Sequence, residues 1–422
     1  MRKFSILFIL LAVSYSLMCQ QTNPTDFPQW QKGYLDIHFI NTGRGNCSFI
    51  VMPDGTTMMT DAGDFNADVF NKSYAPMYSP PKFPNASFTA GEAIYNHIKN
   101  VTKKEAPVLD YTLITHYHSD HYGDVREGQR KSAKGDYVLT GVTEVGEYIP
   151  IKTLLDRAYP NTKFPVDLLA NGGSSTYVNY IKFLQTLQKN GSKVEALKPG
   201  SKSQIVLKRE ANKYPHFNIR NIKANNMLWT GTDENARELF TVQQLVDENG
   251  RYSENQLSTA FLVTYGKFKY FEGGDNTGLA DYDRPQWMDI ETPMSKVVGE
   301  VDVMSLCHHG NRDGTNETFL RTLDPKVVVA QSWSPDHPGA EVGHRLISPK
   351  IGTKKRDIYM TYYFDDTGIG IGPWFARNLK SREGHILVRA YPNNTFQVFV
   401  IDSRNINGKV VSKSELYHCS EK

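Results

Sequence analysis

The sequence predicts an α/β protein in which strands and helices alternate within one continuous domain. Short apolar segments of strand type alternate with stretches of helical periodicity, and no linker-like segment divides them after residue 33. The composition is that of an ordinary folded protein, since 39% of the 422 residues are hydrophobic and 22% are charged. This composition excludes disordered, collagen-like and polytopic membrane proteins, and four cysteines exclude a disulfide scaffold at this length.

The charge balance argues against a protein dedicated to nucleic-acid binding. The chain has 48 Lys and Arg residues against 45 Asp and Glu residues, which leaves a formal net charge of +3. Nucleic-acid-binding domains usually carry a basic face and a pI above about 9. We therefore expect a small-molecule substrate and no dedicated nucleic-acid-binding face.

The first residues have the pattern of a secretory signal. Arg2 and Lys3 precede an apolar run over residues 4–17, which is shorter than the about 20 residues that a transmembrane helix needs. Residues 17–19, Leu-Met-Cys, form a loose lipoprotein box, so lipid attachment at Cys19 and ordinary cleavage both stay open. The sequence predicts an exported protein that is periplasmic, anchored to the outer membrane or extracellular in a bacterium. The alternative is a buried N-terminal strand or helix.

The predicted order along the chain is a signal segment (1–19), a polar linker (20–33), a folded domain (34–402) and a C-terminal tail (403–422). Membrane contact is expected only through a lipid at Cys19. The exported chain would keep Cys47, Cys307 and Cys419, an odd number, so at least one thiol is free or paired between chains.

Period-two patterns predict the strands of the N-terminal half. Residues 35–40 alternate apolar and polar side chains, which is typical of a half-buried strand. Ala90, Ala93, Ile94 and Ile98 share one face of a helix. The predicted elements here are strands at 35–40, 47–51, 56–60 and 108–115, a tight turn at 53–55 and a helix at 90–100.

The C-terminal half continues the alternation of helix and strand. A helix at 177–188 ends at Asn190 and Gly191, a frequent helix stop. The predicted strands are 259–265, 269–272, 301–306, 327–331, 358–363, 385–391 and 396–401. The stretches 64–90, 122–165 and 205–255 are rich in Asn, Gly, Pro and charged residues, and we interpret them as insertions.

A histidine-rich motif directly after the strand 108–115 predicts a metal site. The motif reads His116-Tyr117-His118-Ser119-Asp120-His121. Side chains two residues apart on an extended segment point to the same side, so His116 and His118 can bind one ion. Asp120 and His121 can then turn towards a second ion. Imidazole nitrogens and carboxylate oxygens suit Zn²⁺ and, with more oxygen ligands, Mn²⁺ or Fe.

Two further segments place ligand-type side chains at strand ends. Asp275 follows the strand 269–272 after two glycines, where a carboxylate can bridge two cations and offset their repulsion. The alternative for Asp275 is a turn-capping role. His308 and His309 follow the strand 301–306, and we expect one of the two to be a ligand, with the choice left open.

These motifs together resemble the metallo-β-lactamase superfamily. The family's motif order is matched by Asp61 after a strand, His116-x-His118-x-Asp120-His121, Gly274-Asp275 and His308-His309-Gly310. The resemblance implies an αββα sandwich of two mixed sheets flanked by helices, with a dinuclear centre along one edge. It also implies two divalent metal ions, with Zn²⁺ as the first choice and Mn²⁺ or Fe as alternatives. The domain 34–402 would then be a metallo-β-lactamase-like hydrolase domain, with the insertions outside the resemblance.

Within this superfamily, the chain looks most similar to the soluble hydrolase domain of bacterial competence DNA-uptake channel proteins. The shared features are the turn Gly43-Arg44-Gly45, Phe319-Leu320, the strand after Pro325 and His337-Pro338. Hydrophobic channel segments do not accompany these motifs, so a DNA-uptake channel is excluded.

The chain departs from a lactamase-type site at several positions. Such a site has another His ligand between the second and fourth motifs, whereas the only His between residues 121 and 275 is His216, which no motif surrounds. The competence-like branch also lacks that ligand, which implies a first ion held by His116, His118 and Asp275 and completed by water or another residue. The other departures are Asn41 and Asn46 at the branch's acidic pair and Asn311 at its usual Ser.

The resemblance also implies roles for residues around the ions. Asp120 would bind the second ion and orient the nucleophile. Asp61 would fix the loop 116–121 by hydrogen bonds, unless it is only a turn carboxylate. His337 would contact a phosphate or protonate a leaving group, unless it is structural. Cys307 lies beside the ligands, but its position in the strand directs it to the core as a packed thiol.

Three functions are compatible with the sequence. The first is an exported metal-dependent hydrolase that uses metal-activated water, with phosphodiesters as the leading substrate class by resemblance. The second is hydrolysis of a β-lactam or lactone on the same fold, which the missing middle His weakens. The third is a non-enzymatic metal-binding module, against which the intact 116–121 motif argues.

Overall fold

Alternating side chains along the strands build two sheets with a shared core between them. In β1 (Leu35–Phe39), Leu35, Ile37 and Phe39 are buried against residues of the other sheet, such as Val263 and Val327. The intervening side chains of β1 face the opposite side of the first sheet. Each sheet therefore has one face on the inter-sheet core and one face covered by helices.

The computed structural model describes residues 26–104, 106–278 and 284–421. The predicted signal segment, with its proposed lipid site at Cys19, lies outside these residues. In the described ranges, no helix combines the length and the apolar character needed to cross a membrane.

The strands form two mixed sheets. After β1, the strands are β2 (Ser48–Val51), β3 (Thr57–Thr60), β4 (Leu109–Leu113), β5 (Ile151–Asp156), β6 (Lys193–Ala196), β7 (Phe217–Ala224), β8 (Met227–Trp229), β9 (Ala236–Glu238), β10 (Ala260–Tyr265), β11 (Phe268–Glu272), β12 (Val303–Ser305), β13 (Val327–Ala330), β14 (Asp357–Met360), β15 (Leu379–Ser381), β16 (His385–Ala390), β17 (Thr395–Ile401), β18 (Val410–Lys413) and β19 (Tyr417–His418). The first sheet has the order β18-β17-β16-β1-β2-β3-β4-β5-β6, with β19 also paired to β17. The second has the order β15-β14-β13-β12-β11-β10-β7-β8-β9.

Helices cover the outer face of each sheet. The helices are α1 (Ala67–Ser73), α2 (Ala90–Thr102), α3 (Ser119–Tyr122), α4 (Gly141–Tyr148), α5 (Ser175–Lys189), α6 (Val242–Leu245), α7 (Glu291–Val298), α8 (Glu317–Leu323), α9 (Ala340–Ile347), α10 (Asp365–Ile371) and α11 (Pro373–Asn378). α2, α4 and α5 pack on the first sheet, and α7, α8 and α9 pack on the second. The predicted αββα arrangement of two mixed sheets flanked by helices is confirmed.

The helix predicted at 90–100 shows how local sequence sets these elements. Thr89 and Glu92 form a capping box at the start of α2, which satisfies backbone N–H groups that otherwise have no partner. Ala90, Ala93, Ile94 and Ile98 are all buried, as the spacing predicts. Burial of each isoleucine stabilises the fold by about 1.5–3 kcal/mol. The other predicted helix and the predicted strands are also confirmed, with ends within three residues of the prediction.

Two of the stretches interpreted as insertions contain integral strands, and that interpretation is wrong there. β5 lies in the stretch 122–165 and pairs in parallel with β4 and β6. β7 lies in the stretch 205–255 and pairs with β10 and β8. β7 carries polar residues that make it look like a loop, but the fold buries some of them. The fully buried Lys223, for example, donates to the carbonyl oxygens of Gln256 and Ser258 at 2.6 and 3.0 Å.

The segments at both ends of the predicted domain also contact the sheets. In the stretch predicted as a linker, Phe27 is buried in the layer between α2 and the first sheet. In the stretch predicted as a C-terminal tail, β18 and β19 both pair with β17. The strand ends that matter for the site, those of β4, β11 and β12, thus lie within a continuous two-sheet framework.

Candidate metal centre

The histidine-rich motif begins three residues after the end of β4 and runs into the short helix α3. His118 is the residue before the first turn of α3, and its carbonyl oxygen accepts from the backbone N–H of His121 at 2.9 Å. His116 and His118 therefore lie on the extended part, whereas Asp120 and His121 lie on the helical turn. Asp275 follows β11, and His309 follows β12, so the second sheet supplies the other ligand-type side chains.

A first group of ligand-type atoms combines His116, His118 and Asp275. The His116 Nε2 atom lies 3.1 Å from His118 Nδ1 and 3.6 Å from Asp275 Oδ2. These are the three residues that the sequence predicts for the first ion. The structure brings them together at the end of β4, with His116 and Asp275 buried.

A second group combines Asp120, His121, Asp275 and His309. The Asp275 Oδ2 atom lies 3.2 Å from His121 Nε2 and 3.3 Å from His309 Nε2. The Asp120 Oδ2 atom lies 3.3 Å from His121 Nε2 and 2.9 Å from His309 Nε2. Asp275 is thus common to both groups, which is the position that a bridging carboxylate requires.

The chemistry of the donor set fits divalent metal ions. The buried atoms His121 Nε2, His309 Nε2 and Asp275 Oδ1 make no hydrogen bond of normal geometry, although all three residues belong to the ligand groups. Buried polar atoms without partners are costly, so these atoms are suited to ligation. Imidazole nitrogens with carboxylate oxygens are typical ligands of Zn²⁺ and of non-haem Fe. The cluster could therefore hold metal ions, and the donor set does not select one metal.

The electrostatics of the cluster also favour cations. Burial alone would raise the pKa of Asp275, but His121, His309 and His116 outweigh it and hold this pKa well below its ordinary value. Burial would lower the pKa of His121, but Asp275, Asp120 and Asp61 outweigh it and raise this pKa well above its ordinary value. The buried carboxylates thus create a negative potential at the point where the ligand atoms meet.

Asp61 connects the end of β3 to the metal-ligand loop. Its Oδ2 atom lies 2.8 Å from His121 Nδ1, and its Oδ1 atom accepts from the backbone N–H of Thr115 at 2.8 Å. The Thr115 hydroxyl also donates to Asp61 Oδ2 at 2.8 Å. These contacts are the ones on which an orienting role for Asp61 depends.

The two adjacent histidines after β12 point in different directions. His309 enters the second ligand group, and its Nδ1 atom lies 3.0 Å from Asn46 Oδ1. His308 instead places Nδ1 2.5 Å from Asp313 Oδ1 and Nε2 3.1 Å from the Asn255 amide nitrogen. The structure therefore brings His309 and not His308 to the cluster.

Asn46, which in the sequence is only a departure from the family pattern, contacts two residues of the second ligand group. Besides the contact with His309, its backbone N–H donates to the carbonyl oxygen of Asp120 at 2.8 Å. The preceding Gly45 has φ +121°, and a Cβ there would lie 2.1 Å from the same carbonyl oxygen. The turn 43–45 thus needs glycine beside Asp120, because the backbones approach too closely for a side chain.

A buried ion pair that the sequence did not reveal braces the loop between His116 and His118. The backbone N–H of Tyr117 donates to Glu254 Oε1 at 2.9 Å. Arg157 holds the Glu254 carboxylate with two hydrogen bonds of 2.5 and 2.9 Å, and its guanidinium lies 4.2 Å from the centre of the Tyr117 ring. Arg157 and Glu254 come from the two stretches interpreted as insertions, so no motif pointed to them.

His337 and Trp333 lie beside the second ligand group. The His337 ring stacks on His309 with centroids 4.7 Å apart, and Trp333 meets His337 edge to face at 4.7 Å. His337 is buried, and its Nδ1 atom has no hydrogen-bond partner. His216 lies elsewhere, at an exposed position before β7, and belongs to neither ligand group. Cys307 is fully buried in the core of the second sheet, as predicted.

The ligand groups open into a cavity of about 520 Å³. His118, Asp120, Asp275 and His309 form one side of this cavity, and aromatic side chains form another. A volume in this range is typical of a small-molecule site. The cluster is therefore accessible to a ligand, although most of its atoms are buried.

Comparisons with solved structures give similarities at low sequence identity. The diiron β-hydroxylase CmlA from Streptomyces venezuelae is 14% identical, with 78% of this chain and 53% of that chain covered and a TM-score of 0.38. Zn²⁺-bound PqqB from Methylobacterium extorquens is 11% identical, with 84% and 99% covered and a TM-score of 0.37. The short form of human tRNase Z is 12% identical, with 69% and 91% covered and a TM-score of 0.29.

This chain spans about half the length of the CmlA hydroxylase that it matches. No curated protein matches the sequence significantly. The family comparison is more specific to the site, because it includes Asp61 and the whole motif from His116 to His121. Residues 40–179 match the model of the metallo-beta-lactamase superfamily.

Proposed function

We propose that this protein is a metal-dependent hydrolase with a dinuclear centre, and that phosphodiesters are its substrate class. The observation that carries the proposal is the position of Asp275, whose carboxylate belongs to both ligand groups. One group without the other would support only a single ion. The phosphodiester assignment rests on the sequence resemblance to the hydrolase domain of competence DNA-uptake proteins.

The chain offers a distinct ligand set for each ion. His116, His118 and Asp275 would hold the first, and Asp120, His121, Asp275 and His309 would hold the second. When bound, two divalent ions lower the pKa of coordinated water to about 7 and polarise a phosphoryl or carbonyl oxygen. Zn²⁺ is the first choice, and Mn²⁺ or Fe are the alternatives.

The surrounding residues orient this centre and the substrate. Asp120 lines the cavity and lies against both His121 and His309, so its carboxylate can also accept a proton or hydrogen bond from the attacking water. Asp61 holds His121 through its Nδ1 atom and so directs Nε2 towards the shared Asp275. His337 lines the same cavity, where it would contact a phosphoryl oxygen or the leaving group.

A second candidate is hydrolysis of a β-lactam or lactone. The observation in its favour is that the described residues lining the cavity include no Lys or Arg. A phosphodiester would then have its charge compensated by the ions alone, whereas a neutral cyclic amide or ester needs no such compensation. The third candidate, a non-enzymatic metal-binding module, would bind the ions without turnover.

Metal content and turnover of matched variants test the proposal. We expect about two Zn, Mn or Fe ions per purified chain, with loss of metal and at least about a hundredfold lower turnover in His118→Ala and Asp120→Ala. His216→Ala is the matched control and should retain both. Turnover of bis(p-nitrophenyl) phosphate against a chromogenic cephalosporin and a lactone separates the first two candidates. Unchanged turnover in both site variants contradicts the proposal, and metal without turnover of any substrate favours the binding module.

We also propose that the chain is exported, on the basis of its N-terminal sequence alone. Fractionation of cells that produce the full chain tests this proposal. Release of a Cys19→Ser variant from the membrane fraction would support lipid attachment, and a cytoplasmic location would contradict export.

A further inference from the structure

The cavity over the candidate metal centre is lined by aromatic side chains as well as by the ligand-type residues. Four rings form the aromatic lining: Phe65, Phe70, Tyr74 and Trp333, which we call the aromatic wall. Phe65 and Phe70 lie 4.5 and 5.2 Å from Trp333, between ring centroids, and Tyr74 stacks on Phe70 at 5.3 Å. The four rings are therefore one continuous surface and not separate core residues.

The aromatic wall reaches the metal ligands directly. The Trp333 ring lies 5.3 Å from the ring of His309, which belongs to the second ligand group. Helix α1, which follows Asp61 in the chain, supplies the other end of the wall. A group bonded closely to a reacting atom at the centre would thus lie within contact distance of the wall.

The outer part of the wall is exposed to solvent. Tyr74, directly after α1, is 64% exposed, and Val69 of α1, which lines the same cavity, is 55% exposed. Large apolar side chains that gather at a cavity leave hydrophobic area in water, which a ligand can cover. Helix α1 therefore has an unfilled apolar surface at the entrance of the site.

Charge limits what this surface can accept. The described lining residues include the carboxylates Asp124 and Asp336 as well as the ligands Asp120 and Asp275, and no Lys or Arg. Arg44, which lies 5.9 Å from the Phe65 ring, donates instead to the carbonyl oxygens of Gly43 and Pro80. A chain of phosphates would have no cationic partner along this cavity beyond the metal ions, so a polynucleotide is a poor match.

We propose that the aromatic wall binds one flat aromatic group of the substrate, next to the bond that is hydrolysed. Resting on the proposed function, this identifies the substrate class as a small phosphodiester that bears a single aromatic ester group. Stacking and apolar burial on the wall would supply affinity, whereas the centre would hold the phosphoryl group. The cavity volume of about 520 Å³ accommodates one ring beside a phosphoryl group.

Binding of non-hydrolysable phosphonates tests the wall without relying on turnover. Calorimetry with the zinc-loaded full protein compares phenylphosphonate, cyclohexylphosphonate and methylphosphonate, which share one head group. We expect phenylphosphonate to bind roughly tenfold more tightly than methylphosphonate, with cyclohexylphosphonate clearly weaker than phenylphosphonate. In Tyr74→Ala and Phe70→Leu this preference should fall at least about threefold, with the affinity for methylphosphonate unchanged.

Leu416→Ala is the matched control, because Leu416 is 54% exposed and does not line the cavity. It should keep the full preference, and thermal melting should show that all variants are folded. The inference is overturned if no phosphonate binds, if phenyl- and methylphosphonate bind equally, if cyclohexylphosphonate equals phenylphosphonate, or if both wall variants keep the preference. A preference for phenylphosphonate without hydrolysis of any diester would contradict only the proposed function. Hydrolysis of a diester without a preference for phenylphosphonate would contradict only the inference about the aromatic wall.

Discussion

Two buried histidine clusters in this protein differ in one respect that decides their chemistry. The candidate metal centre contains His116, His118, His121 and His309. The second group, which we call the α2 histidine cluster, contains His38 of β1, His97 of α2 and His385 of β16. Its rings are equally close, with His97 Nε2 3.1 Å from His38 Nδ1 and the His97 and His385 centroids 4.5 Å apart. His118 is half-buried and the other histidines of both clusters are buried, so burial does not distinguish the clusters.

The difference lies in the carboxylates. Asp120 and Asp275 lie among the histidines of the candidate centre and have oxygen atoms directed at them. The carboxylate nearest the α2 histidine cluster, Asp36, lies 3.9 Å from His38 but is held by Arg389 through hydrogen bonds of 2.7 and 2.6 Å. Its charge is therefore already compensated. A shared, uncompensated carboxylate is what makes a histidine cluster suitable for cations.

The largest effect is expected from removing the negative charge of Asp275, which both ligand groups share. Asp275→Asn keeps the shape of the side chain but not its negative charge, so we expect neither ion to be retained and turnover to fall at least about a thousandfold. His97→Phe should keep both ions, because its cluster has no free carboxylate. Elemental analysis and turnover of the two purified variants provide the measurement. Two ions in Asp275→Asn, or metal loss in His97→Phe, would contradict the distinction.

The dependence of stability on pH tests the α2 histidine cluster in the same comparison. Burial lowers the pKa of His38 and His97 well below the ordinary value and that of His385 to about 3. The folded state keeps these imidazoles neutral, whereas the unfolded chain binds protons near pH 6.5. Stability that is present above pH 6.5 is therefore lost as the pH falls, by up to about 1.4 kcal/mol per pH unit for each histidine. The charged groups facing this cluster are Asp36 and Arg389, which pair with each other.

Urea unfolding at pH 7.5, 6.0 and 5.0 measures this loss. In His97→Phe one titrating group is gone, so the free energy of unfolding should fall with pH less steeply, by up to about 1.4 kcal/mol per unit. Leu416→Ala should keep the wild-type slope. Equal slopes in wild type and His97→Phe would show that His97 titrates normally in the folded state.

The smallest expected effect concerns the neighbour of a ligand. His308 is held by Asp313 and the Asn255 amide, so His308→Ala should keep both ions and lower turnover by about tenfold at most. His309→Ala removes a member of the second ligand group and should lose one ion. Metal content of these adjacent variants gives the comparison, and an identical loss in both would place His308 among the ligands.

The sequence predicted the parts of the site that depend on short-range geometry. The motif 116–121 is contiguous, so its ligand pattern could be read from spacing alone. Asp275 and His309 could be predicted as ligand candidates because both follow a predicted strand, and strand ends meet at one edge of a sheet. The choice between His308 and His309 depends on the turn after β12, where both residues have positive φ angles, of 48° and 55°, and spacing does not predict that conformation.

The parts that the sequence did not predict depend on distant packing. Glu254 and Arg157 meet at the Tyr117 backbone although they are far apart in the chain, and no local pattern marks them. Trp333 contacts Phe65 and Phe70 although it lies more than 260 residues after them in the chain. β7 was missed because it contains polar residues such as Lys223, whose burial depends on tertiary hydrogen bonds that composition does not show.

The pairing of β1 with β16 has a consequence for how the chain is made. Leu35 pairs with Ala390, so the first sheet cannot close until nearly the whole described chain has been synthesised. Until then β1, which pairs with β2 on its other side, has an unpaired edge that is open to non-native pairing. The ligands come from both halves of the chain, so metal can be captured only late in folding. Slow, long-range closure of this kind makes the nascent protein dependent on protection of that edge.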